Sequence, residues 1–166
     1  MVKYADLLKG IKYVNPSTSV DSNLNVIHPS DPIYYAGTRI IRFIAHVASD
    51  RHAPWKSYIY RKPSEYSVEI DFKGVGETDG LNQMEIRQHH LPRPSLSKND
   101  IMIRCTCLNY NFRVDFANRR VRAAAGARPP RYRSRSGEHL NDDTPTICKH
   151  AISYVNWLLN NGFITQ

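Results

Sequence analysis

Four residues in this chain have the types and spacings of a metal site: Cys105 and Cys107 stand one residue apart, and Cys148 and His150 repeat that spacing. Thiolate and imidazole are the usual ligands of a borderline-soft divalent ion, and three Cys with one His make a closed tetrahedral set of the structural kind. A metallohydrolase needs an exchangeable position for water, which four filled positions do not leave. The cysteine count agrees, because three is odd and a disulfide joining Cys105 to Cys107 would close a strained small ring. Spacing alone leaves two other readings open. One is three buried cysteines and a surface histidine without metal; the other is an iron–sulfur cluster, which also accepts three Cys and one His. The expected cofactor is structural zinc, whose apparent binding free energy in finger peptides is ~10 to 16 kcal/mol.

The elements that must position these ligands can be read from their surroundings. Ile101 to Cys107 has strand character, and residues two apart on a strand point the same way, so Cys105 and Cys107 form a two-thiolate claw. Cys148 and His150 open the clearest helix in the sequence, whose buried stripe is Ile147, Ala151, Ile152, Val155, Leu158 and Leu159. Thr144 or Thr146 is the expected cap, Pro145 suits a first turn, and Gly162 is the expected stop. Inside a regular helix, residues two apart diverge by about 200°. Cys148 and His150 are therefore expected in the lead-in turn, where the partial positive charge of a helix N-terminus favours thiolate. Arg104 and Lys149 adjoin the ligands and are expected to offset the negative charge of three thiolates around a divalent ion.

The rest of the chain supplies a sheet. Arg39 to Ala48, Trp55 to Arg61 and Tyr66 to Phe72 alternate apolar and polar residues, Gln83 to Gln88 adds a further candidate, and Ile101 to Cys107 closes the series. The predicted fold is α+β: an antiparallel sheet of about four to five strands, a zinc-anchored C-terminal helix, and an extended N-terminal arm. The arm covers 1–38, with a short amphipathic helix over 1–14 followed by Ser-, Asn-, Thr- and Pro-rich chain. A single zinc-containing domain is expected over 39–166, interrupted by a basic excursion at 108–147. Between Arg113 and Arg135 that excursion holds eight arginines and one acid, Asp115. One short helix is expected there, from the spacing of Phe112, Phe116 and Arg120, running through Ala123 to Ala125 and ending near Gly126.

At 166 residues the chain is long enough for a real core, and its net charge of +8 makes a polyanion or an acidic protein surface a natural neighbour. The first ten residues lack the apolar run of a secretory signal, and no stretch approaches the ~18 apolar residues of a membrane span. The expectation is a protein made in a reducing cytosol.

Cys105-Thr-Cys107 followed by Cys148-Lys149-His150 at a helix start resembles the SWIM type of zinc finger, Cys-x-Cys…Cys-x-His, with an insert of forty residues that is longer than usual for that finger. A closer resemblance is to a group of tailed-bacteriophage virion proteins. In these, Cys-x-Cys leads into an aromatic and Asn-rich stretch, then Pro-Tyr-Arg, then Cys-Lys-His opening a C-terminal helix. The matching residues here are Phe112, Phe116, Ala117, Asn118, Gly126, Pro130, Tyr132, Arg133, Cys148, Lys149 and His150, over roughly residues 101 to 160. The Asn-Pro pair expected before Cys148 is split here into Asn141 and Pro145. The resemblance implies a virion component of a tail, a baseplate or a head-to-tail junction, with other virion proteins as partners in a multi-copy assembly. Only the four metal ligands carry over. The arm and the excursion are expected to order against neighbouring subunits.

Other residues invite other chemistries. Arginines interleaved with Phe112, Phe116 and Tyr132 suit phosphates and bases, so the alternative function is a nucleic-acid-binding zinc module in regulation, recombination or packaging. Arginine is equally enriched in protein interfaces, which a multi-copy assembly favours. His89 and His90 have no acid or nucleophile at a telling spacing and read as a surface loop, while His139 is the substitute ligand if His150 points away. Trp55, Trp157 and the ten tyrosines read as core or interface rather than a pocket lining. Glu69 and Asp71 fall on the wet face of a strand, near Glu65, Glu77 and Asp79, in a solvated pattern rather than a hydrolytic pair. No catalytic residue is expected.

Overall fold

The computed structural model describes residues 2–14, 18–49, 64–76, 83–107, 109–110, 114–126 and 144–166. In chain order its elements are α1 (Tyr4–Val14), β1 (Val26–Ile27), β2 (Ile33–Tyr35), a 3-10 turn at Ala36–Thr38, β3 (Ile40–Ala48), β4 (Glu65–Lys73), β5 (Gln83–Ile86), β6 (His89–Pro92), β7 (Asp100–Cys105), α2 (Asp115–Arg120) and α3 (Lys149–Asn160). The expected strand Trp55 to Arg61 lies outside the described residues, as do Glu77, Asp79, Phe112, His139 and most of the basic excursion.

Alternation builds the sheet. β3 buries Ile41, Phe43, Ala45 and Val47, β4 buries Tyr66, Val68, Ile70 and Phe72, and β7 buries Ile101, Ile103 and Cys105, all on one face. Antiparallel pairing sets Phe43 against Ile70 and Ile70 against Ile103, then Ala45 against Val68 and Val68 against Cys105. Five strands join in this sheet, in the order β1-β3-β4-β7 with β2 also on β3, and β5 and β6 form a separate hairpin. Across the apolar face lies α3, whose Ala151, Ile152, Val155 and Leu158 are buried against it. The free edge of β7 is covered by residues 123–125: Ile103 N–H donates to the Ala123 carbonyl, and Ala125 N–H to the Ile103 carbonyl.

Several expectations change. The described residues of 1–38, a segment read as an arm for neighbouring subunits, pack on this same chain. Leu7 and Ile11 of α1 enter the core, and β1 and β2 pair along β3. Backbone pairing of these two short apolar segments is joined by Leu24, Val26 and Tyr34, which pack against the core. His89 and His90 sit on a strand rather than a loop, because Arg87 and Gln88, with φ of 47° and 68°, make the tight left-handed turn that closes β5 on β6. Both histidines remain exposed. The short helix stops at Arg120 instead of running through Ala125, since Arg122 turns left-handed at φ 60° and the alanines leave to pair with β7.

Candidate metal centre

Cys105, Cys107, Cys148 and His150 meet at the edge of the core face. All four are buried, and their ligand atoms lie within 4.8 Å of one another. One tetrahedral ion with metal–sulfur bonds of about 2.3 Å holds its ligands about 3.8 Å apart, so the cluster has nearly the size that a single ion requires.

Local structure explains each position. Cys105 ends β7 in register with Val68, which aims it into the core. Cys107 lies beyond the strand rather than on it, so the expected strand claw is corrected to a strand end followed by a bend. The bend returns Cys107 to the same side, where its N–H donates to Cys105 Sγ at 3.5 Å and the Tyr110 N–H donates to Cys107 Sγ at 3.3 Å. Tyr110 is itself fixed, because its buried hydroxyl donates to the Ile103 carbonyl on β7.

Cys148 is the N-cap of α3, with φ −92° and ψ 159°, and His150 is the second residue of the helix. Neither Thr144 nor Thr146 caps it. An extended N-cap lets the Cys148 side chain diverge from helical geometry and meet His150, which a continuous helix forbids. Thr146 is occupied otherwise: its N–H donates to Asn118 Oδ1 and its carbonyl accepts from Asn118 Nδ2, both at 2.9 Å. Tyr66 of β4 packs its ring against the His150 imidazole at 4.7 Å between centroids.

The protonation pattern of the cluster follows from burial. Hydrogen bonds from the thiols of Cys105 and Cys148 hold Cys107 far below the usual thiol range. Burial pushes Cys105 and Cys148 well above that range. Both His150 nitrogens are buried, and neither has a hydrogen-bond partner among the described residues. A buried imidazole with two orphaned nitrogens is costly, and a metal bond to one of them removes much of that cost. The donor set, its burial and its dimensions fit a soft divalent ion, which Cys105, Cys107, Cys148 and His150 would hold.

One expected supporting group is elsewhere. Arg104 belongs to the opposite face of β7 from Cys105, lining a recess with Ser67, Glu69 and Thr106, and its guanidinium rests against Gly126. Cys148 sits at the N-terminus of α3, whose partial positive charge favours its thiolate. Sequence reasoning missed the supporting residues Tyr66, Tyr110 and Asn118. A signal existed only for Asn118, an amide inside a helix where asparagine is a poor former.

No family model, curated protein or solved structure matches this chain.

Proposed function

We propose that the four-residue cluster holds one structural zinc ion and that the protein is a non-enzymatic architectural component of a tailed-bacteriophage virion. Its place would be the tail, the baseplate or the head-to-tail junction, reached after synthesis in the host cytoplasm. In this reading residues 39–166 are the zinc-containing domain, 1–38 dock on it, and the excursion at 108–147 meets neighbouring subunits. The observation that carries the zinc reading is the convergence of three sulfurs and an imidazole within 4.8 Å, buried and with no fifth donor of those types in the group. A closed site of this kind welds chain segments and leaves substrate no position. Support for the virion reading is the order Cys-x-Cys, aromatic and Asn-rich stretch, Pro-Tyr-Arg, Cys-Lys-His along residues 101 to 160.

Elemental analysis of the purified protein should find about one zinc per chain, lost in Cys107→Ser. A metal-free wild type that is fully folded removes the zinc reading. The virion reading is tested separately, by quantitative mass spectrometry of purified particles, where the chain should be recovered in multiple copies; absence from particles ends it and leaves the zinc reading standing. The net charge of +8 favours nucleic-acid binding as the second reading. Retention of duplex at low salt that falls steeply as salt is added would support that alternative.

A further inference from the structure

The segment leading into Cys148 is gripped from two sides, by residues far away in sequence. On one side is the paired amide of Asn118 on Thr146. On the other is α1. Gly10 lies so close to this segment that a Cβ there would stand 1.9 Å from the Pro145 carbonyl oxygen and 3.0 Å from Thr146 Cβ. Glycine in mid-helix costs about 1 kcal/mol relative to alanine, and here its lack of a side chain is what allows the backbones to touch.

The two halves of α1 are moored differently. At its start Lys3 Nζ pairs with Asp100 at 2.9 Å and donates to the Lys98 carbonyl at 2.7 Å, while Ile101 N–H donates to the Val2 carbonyl at 2.9 Å. Those contacts tie the N-terminal end to β7 and do not involve the metal ligands. Farther along, Gly10 rests on Pro145 and Ile11 is buried in the core beside it.

We infer that metal loading and docking of the second half of α1 are coupled through residues 145–148: the ion that fixes Cys148 also fixes the seat of Gly10, and its removal releases that half of the helix. The inference rests on the zinc reading above.

Coupling of this kind is reciprocal, so it can be read from either end. Amide hydrogen exchange on the full chain, zinc-loaded and then stripped with a chelator, should show residues 8–14 exchanging at least about tenfold faster once stripped, with β3 and β4 still protected. Unchanged protection over 8–14 after metal loss overturns the inference, and so does opening of the whole sheet together with α1. From the other end, Gly10→Ala should weaken zinc binding by roughly 5- to 150-fold. The cobalt-substituted protein should keep its thiolate charge-transfer bands, because the ligands are untouched. Unaltered affinity in a folded Gly10→Ala overturns the coupling. If that variant does not fold, the exchange comparison on the wild type still decides. A wild type that takes up no metal ends both readings, and the measured stoichiometry distinguishes that result from a bound ion beneath an unaffected helix.

Discussion

The central sheet carries a cluster of ionisable groups on each face, and the two solve the problem of burial in opposite ways. On the face away from α3, Arg42 donates to both oxygens of Asp71 at 2.8 and 2.7 Å and pairs with Glu69 at 3.0 Å. Asp71, expected on a wet surface, is only 1% exposed beneath the Arg42 guanidinium, and its carboxylate in turn raises the affinity of Arg42 for its own proton. There the chain itself supplies the guanidinium that both carboxylates share. On the core face three thiols and an imidazole are buried together, and the imidazole nitrogens have no partner among the described residues. A buried polar cluster that the chain itself completes is architecture, whereas one left incomplete at the spacing of metal ligands is a site for something the chain does not contain.

The sharpest way to test that contrast is to remove the metal. If the core-face cluster depends on an ion, chelation or Cys148→Ser should forfeit more than about 4 kcal/mol while leaving the sheet folded. Cooperative thermal unfolding followed by circular dichroism should then persist but shift down by about 10 °C or more. An unchanged transition after verified metal removal would make the two faces alike.

Arg42→Ala is the matching change on the other face. It strands the Asp71 carboxylate, and breaking a buried pair in this way costs about 3 kcal/mol. Denaturant unfolding should record that loss while elemental analysis still finds zinc at wild-type stoichiometry. Loss of zinc in this variant would mean that the two faces are one network.

Proton competition separates the clusters next. In the metal-free protein Cys105 and Cys148 hold their protons well above the ordinary thiol range, because burial disfavours the thiolate, while Cys107 is already ionised by its thiol neighbours. Loading must displace the two protons, so the loaded state binds fewer protons than the unloaded one. Zinc affinity therefore rises with pH and falls as acid is added, by about 100-fold per unit for two protons. Competition titrations at several pH values measure this slope; a flat profile would show that the thiols were already ionised.

How much of this was legible in the sequence depended on whether the signal was local. Alternation located β3, β4 and β7 to within a residue or two at each end, and the periodic stripe located α3, because each strand or helix face is written in consecutive side chains. The ligand set was legible for the same reason, as two short motifs. What the sequence did not disclose is set by distant backbone. The cap of α3 moved from a threonine to Cys148 because Asn118, 28 residues away, holds Thr146. Residues 123–125 left the helical pattern for an unpaired strand edge, and Asp71 left solvent because Arg42 on the neighbouring strand encloses it. The role of Gly10 was not read from the sequence, since only the fold shows that Pro145 is what it accommodates.

The smallest effect belongs to a side-chain pair that resembles Arg42–Asp71 in distance and differs in burial. His46 Nδ1 lies 2.7 Å from Glu65 Oε1 on the same sheet face, but their side chains are 44% and 36% exposed. Water solvates both groups in the folded and the unfolded chain, so the pair gains little by meeting, and salt screens what remains. Glu65→Gln should therefore cost below about 0.5 kcal/mol in denaturant unfolding and nothing measurable at high salt, with zinc content unaltered. Arg42→Ala should keep its deficit at the same high salt, since Asp71 is shielded from solvent ions. A loss above about 2 kcal/mol in Glu65→Gln would mean that this end of the sheet is covered in solution, and the division between a chain-completed cluster and a solvated one would have to be redrawn around His46.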